Sequence, residues 1–126
     1  MTGWGEQDRR AAEERLRTIV ADLPGTSAEE SHGHVGFFVR GKRFAWLLVN
    51  HHDDGRLAVW VKAPPGEQEA LVSSAPEHYF VPPYLGTRGW LGVRLDGEPD
   101  WGEITGLLDQ GWRLNAGSRL RAELDS

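Results

Sequence analysis

Apolar positions along the chain change period several times, and each change marks an element. From Asp8 to Asp22, residues Ala12, Leu16, Ile19 and Val20, continued by Leu23, fall on one stripe, while Arg and Glu fill the other side. That spacing predicts an amphipathic helix, ended by Leu23-Pro24-Gly25. Thr26 to Ser31 is polar and reads as a linker leading to His32-Gly33-His34. The period then drops to two. Val35, Phe37 and Val39 point one way in a strand Val35–Arg40; Phe44–Asn50 is apolar on both faces, as a central strand should be; Leu57–Lys62 alternates again. Arg40-Gly41-Lys42-Arg43 predicts a tight hairpin connection, and His51-His52-Asp53-Asp54-Gly55 a loop turned by Asp54-Gly55.

In the second half, Ala63-Pro64-Pro65-Gly66 breaks the chain before a short helix, Glu67 to Ser74. Phe80–Val81 is a brief strand stopped by Pro82-Pro83, which lack amide donors. Gly86 and Gly89 bracket a turn presenting Thr87 and Arg88, and from Trp90 to Leu95 the chain alternates, with Leu91, Val93 and Leu95 inward. Asp100 is a good N-cap for a last helix whose stripe is Ile104, Leu107, Leu108 and Trp112. Asn115-Ala116-Gly117 ends it, with a further helical turn over Ser118–Leu124. The order is αβββαββα, or αβββαβα if Phe80–Val81 is too short to count. The expected fold class is α+β: a mainly antiparallel five-stranded sheet with helices packed on one face.

Length and composition narrow the class. A chain of 126 residues fits one domain over 1–126, with a core of about 8–115 and a short tail, 116–126. With no cysteine there is no disulfide, thiolate metal site or Cys nucleophile, which suits a reducing cytoplasm. The start lacks an apolar signal core, and the longest apolar run, Phe44 to Val49, is too short to span a bilayer, so no membrane partner is expected. The net charge of −5 opposes generic nucleic-acid affinity. Its distribution matters more. Residues 35–62 carry Arg40, Lys42, Arg43, Arg56 and Lys62 against Asp53 and Asp54, net +3; residues 80–95 add Arg88 and Arg94, giving +5 and leaving −10 elsewhere. A basic sheet face on an acidic body fits these numbers, and so does plain enrichment of the helices in Glu and Asp.

Six tryptophans are the compositional excess, and the alternation gives them a place. If Leu57, Val59, Val61, Leu91, Val93 and Leu95 face the helices, then Trp60, Lys62, Trp90 and Arg94 share the opposite face, joined by Phe38, Arg40 and Trp46. Aromatic rings interleaved with cations suit base stacking with phosphate attraction, or the anchoring of a protein partner. The same tryptophans could instead cover a second small core beneath the proline arm and the C-terminal tail. Two cationic turns, Arg40-Gly41-Lys42-Arg43 and Gly86-Thr87-Arg88-Gly89, can approach phosphates closely but carry no base code. His32 and His34 would share a direction in an extended segment, yet no third ligand follows at metal-site spacing, and His51 and His52 read as solvated loop residues. No Gly-x-Ser-x-Gly elbow or phosphate loop exists. The expectation is a non-enzymatic binding module without metal or cofactor.

The run Phe80-Val81-Pro82-Pro83-Tyr84-Leu85-Gly86-Thr87-Arg88-Gly89-Trp90-Leu91-Gly92-Val93-Arg94-Leu95, preceded by Gly41-Lys42-Arg43-Phe44-Ala45 and Trp60-Val61-Lys62, resembles the MmcQ/YjbR family from about Ala11 to Leu114. The resemblance implies a small α+β domain of frataxin-like shape and a DNA-binding role, with the two cationic turns as wing-like elements lying along DNA. The aromatic face read from the alternation and the cationic turns together give the candidate contact residues Arg40, Lys42, Arg43, Trp60, Lys62, Arg88, Trp90 and Arg94. The alternative is a protein partner or small ligand at the aromatic sheet face. Arg9, Arg10, Arg15 and Arg17 interrupt the acidic patches of the first helix, so the iron binding of frataxins does not carry over.

Overall fold

The computed structural model describes residues 3–126. Helix α1 (Glu6–Ala21) is followed by strands β1 (Thr26–Ser31), β2 (His34–Val39), β3 (Lys42–Val49) and β4 (Leu57–Val61), helix α2 (Glu67–Ser74), strands β5 (Tyr79–Phe80) and β6 (Leu91–Arg94), and helix α3 (Trp101–Asp125). The strands form one sheet in the order β1-β2-β3-β4-β6-β5, with every neighbouring pair antiparallel.

The sheet has six strands, not the expected five, because Thr26–Ser31 is not a linker but β1. Ser27 through Ser31 are exposed on both faces, so the strand buries no side-chain row and leaves no period-two apolar signature. Its turn is the readable part. His32 and Gly33 take φ of 53° and 81°, the left-handed pair that a two-residue hairpin needs, and Arg40-Gly41 repeat it at 54° and 75° between β2 and β3.

The core lies between the sheet and helices α1 and α3. Leu16 and Val20 of α1 meet Val35, Phe37, Val39, Leu47, Leu57, Val59, Val61, Leu91 and Val93 from the strands and Ile104, Leu108 and Trp112 from α3. The alternation of β2, β4 and β6 therefore resolves as expected, with Leu91, Val93 and Leu95 inward. Helix α3 comes unusually close to the sheet at Gly111, where a Cβ would stand 2.8 Å from the Lys62 carbonyl oxygen and from Val61. Asp100 caps α3 by accepting the Glu103 amide at 3.1 Å. Gly117, at φ 82° and ψ 166°, breaks the helix, and its last turns continue to Asp125 with Leu120 and Leu124 against the core.

Candidate binding face

The sheet face away from α1 and α3 is built around a bulge. The β2–β3 register runs Phe37 opposite Ala45 and then Phe38 opposite Arg43, so Phe44 is the extra residue. Phe44 and Ala45 both enter the main core, and Arg43 is turned onto the same face as Trp46. β3 reads as apolar on both sides because it faces two cores, Ala45 and Leu47 in the main one, Leu48 in a smaller one with Trp46 packed against it. The Arg43 guanidinium lies 4.1 Å from the Trp46 ring centroid and 5.1 Å from that of Phe38. Gly36 leaves the room: a Cβ there would sit 3.0 Å from Arg43 Nε and from the Phe38 ring. Among the described residues Arg43 has no carboxylate partner, and it is exposed.

The other half of this face is closed. Of the two expectations for Trp60 and Trp90, open stacking surfaces or a second small core beneath the proline arm, the second holds: they are only 2% and 7% exposed and pack with Leu48 and Ala58, flanked by Trp46, Phe80 and Leu85. The arm after β5 supplies Leu85 to this cover, and α2 anchors the arm's return through Gln68, whose Nε2 donates to the carbonyls of Gly86 (2.9 Å) and Trp90 (2.6 Å). Gly92 faces Phe80 so closely that a Cβ would overlap the ring. Arg56, in the sequence no more than one of the charges of this region, lies 4.1 Å over Phe80 and 3.9 Å from Asp54.

The histidines also lie differently from the sequence expectation. His32 occupies a turn with positive φ, so it and His34 do not share an extended segment. His51 is no solvated loop residue but packs edge-on against Trp60 at 5.3 Å, with His34 at 5.8 Å and His52 at 4.1 Å, and His52 meets Tyr84 of the arm at 6.3 Å. His34 Nδ1 accepts the Val49 amide at 3.1 Å, so that nitrogen is unprotonated. Burial, reinforced by His51 and His32, holds the His34 pKa below the ordinary histidine range; burial and His52 do the same for His51, with Asp54 opposing in both cases. Among the described residues no group of three or more His, Asp or Glu is arranged to hold a metal.

The expected cations divide. Lys42 and Arg88 are exposed, Lys42 opening β3 and Arg88 on the Gly86–Arg88 turn. Lys62 is not on the aromatic face. Its Nζ donates to Asn115 Oδ1 of α3 at 2.7 Å, and Asn115 Nδ2 donates to the Arg43 carbonyl at 3.2 Å, because the chain leaves β4 toward that helix. Arg40 likewise lies against the α3 break, its Nη1 2.7 Å from where a Gly117 Cβ would be. Arg94 is drawn to Asp96 at 3.3 Å. The register places Arg40, Lys42, Arg43, Lys62 and Arg88 at one end of the sheet, since Val39 pairs Lys42, Ala45 pairs Val61 and Val61 pairs Leu91. Away from the aromatic face, a cavity of about 300 Å³ between α2 and the start of α3 is lined by Leu71, His78, Tyr79, Val93, Glu103 and Ile104, among others.

Comparison with known proteins agrees with this layout. The crystal structure of Deinococcus radiodurans protein DR2400, which carries a DUF419 domain, superposes with a TM-score of 0.71 at 20% identity, covering 90% of this chain and 87% of that one. No curated protein matches. The YjbR family model matches residues 21–114, which takes in all six strands, α2 and the first half of α3. The chain belongs to the YjbR family.

Proposed function

We propose that this protein is a non-catalytic module that binds a nucleic-acid strand, DNA being the family-implied form, on the half of the sheet face left open by the proline arm. The antiparallel sheet with helices on one side is read as frataxin-like in shape, and the cysteine-free chain as a cytoplasmic protein. The observation that carries the reading is Arg43. An exposed guanidinium laid over Trp46 and Phe38, with no carboxylate partner among the described residues, offers a flat surface for a base and N–H donors for a phosphate. Lys42 and Arg88, at the same end of the sheet, supply further attraction to the backbone.

Fluorescence titration of the native tryptophans with short single- and double-stranded oligonucleotides at low salt tests this. Trp46→Ala is expected to weaken binding by roughly 1–3 kcal/mol with little change in salt slope, as loss of a stacking ring does. Lys42→Ala should lower the salt slope by about one phosphate contact, irrespective of sequence. Trp90→Ala, which empties a closed core, should cost about 3–5 kcal/mol of stability instead. No saturable change with either oligonucleotide form removes the reading. A protein partner then comes forward, favoured by Tyr84 and Val81 of the arm, which are 76% and 54% exposed.

A further inference from the structure

The two edges of the sheet are unlike. The β5 edge is two residues long, lies beside α2 and runs into Pro82-Pro83, which offer no amide. The β1 edge is six residues long, free of proline, and exposed along Ser27–Ser31. Register decides which of its backbone groups are free. The two-residue turn at His32-Gly33 makes Ser31 and His34 a hydrogen-bonded pair, and alternate pairs, Glu29 with Gly36 and Ser27 with Phe38, follow suit. The amides and carbonyls of Thr26, Ala28 and Glu30 therefore point outward, and among the described residues no strand lies beyond them in the sheet.

We propose that this edge is a docking site for an extended, cationic segment of a partner protein, which adds to the sheet as a seventh strand. Main-chain hydrogen bonds from Ala28 and Glu30 would hold it, as in other strand additions. Charge selects the occupant. Glu29 lies on the open-face side and Glu30 on the helix side, and among the described residues neither forms an ion pair. Lysine or arginine on either side of an added strand finds a carboxylate opposite. A second copy of β1 would instead bring four carboxylates into one short ribbon, where facing like charges destabilise. On the helix side, a groove of about 220 Å³ between α1 and β1, walled by Val20, Ala21, Ala28 and Phe37 with Thr26, Ser27 and Arg17 at its margin, takes an apolar rather than a cationic side chain of the incoming strand, since Arg17 there is already paired with Glu13 at 2.9 Å.

The probe is a capped ten-residue peptide of alternating Lys and Val, titrated into the full chain and followed by amide NMR and hydrogen exchange. Saturable binding is expected, with the Ala28 and Glu30 amides slowed at least tenfold in exchange. Ala28→Pro removes only an outward donor, so it should abolish binding while leaving the remaining amide spectrum in place. Glu29→Lys together with Glu30→Lys should weaken binding at least tenfold. The same peptide N-methylated at alternate residues keeps the charge but cannot pair as a strand, and should not bind. Equal affinity for the methylated peptide, shifts centred on another surface, or no saturation at millimolar peptide overturns the proposal. So does a dimer of the free protein that Ala28→Pro dissociates, since a second copy would then own the edge.

Discussion

His34 holds two elements together with a single nitrogen. Its Nδ1 accepts the Val49 amide, so the end of β3 is pinned to the β1–β2 turn only while that nitrogen is free of its proton. The folded pKa is held below the ordinary value, chiefly by burial, and His51 behaves alike. The sign follows directly. Below about pH 6.5 the unfolded chain takes up protons that the folded chain refuses, so stability is full above that pH and falls as acid is added toward the folded pKa values. Urea denaturation from pH 7.5 to 5 should show the midpoint dropping, and His34→Gln should flatten that drop; an unchanged slope in the variant would remove His34 from the account. None of this was legible in the sequence, where His34 and His51 lie 17 positions apart and only the fold brings their rings to 5.8 Å.

Most of the legible elements carry an apolar row of regular period; α2, which buries no residue, was legible instead from the breakers that bound it, Pro64-Pro65-Gly66 and Pro76. Helix α1, β2, β4, β6 and the first part of α3 each put an apolar row on the main core, and the period of that row is the signal. β1 buries nothing by side chain and β3 breaks its own alternation at the Phe44 bulge, so periodicity fails at both. β3 is the central strand its sequence predicts, but its bulge was hidden there and rotates Arg43 onto the aromatic face; β1, which the sequence hides altogether, completes the β2 edge. Close approach between elements was hidden in the same way. Gly111 sits within a helical stripe, where Gly ordinarily weakens the helix, yet its bare Cα lets α3 settle on the Lys62 carbonyl and Val61. Gly111→Ala would gain helix propensity and still destabilise by about 1–3 kcal/mol through overpacking against backbone. Chemical denaturation of the pair measures it, and a neutral or stabilising result would mean that α3 can slide away freely.

At the scale of the molecule, the question is whether net charge or its placement governs partners. The chain carries −5 overall, yet Arg40, Lys42, Arg43, Lys62 and Arg88 gather at one end of the sheet by strand register. The sum of +5 for the two strand regions points to segregation, but it includes Arg94, which is drawn to Asp96 just outside those regions, while Arg56 lies near Asp54, an acid the sum already subtracts. Lys62 is occupied by Asn115. The usable field is thus narrower than the sequence suggested, and local. Arg88→Glu and Arg10→Glu test this, because each moves the net charge by the same −2, from −5 to −7. Arg10 is on α1, highly exposed and only 3.8 Å from Glu6, far from the cationic end in the fold's layering. If placement governs, Arg88→Glu should weaken oligonucleotide binding at low salt at least tenfold, while Arg10→Glu changes it less than threefold; at an ionic strength where the Debye length shrinks to about 3 Å, the difference should vanish. Equal losses in the two variants would mean that the whole acidic body, rather than the end of the sheet, sets the affinity.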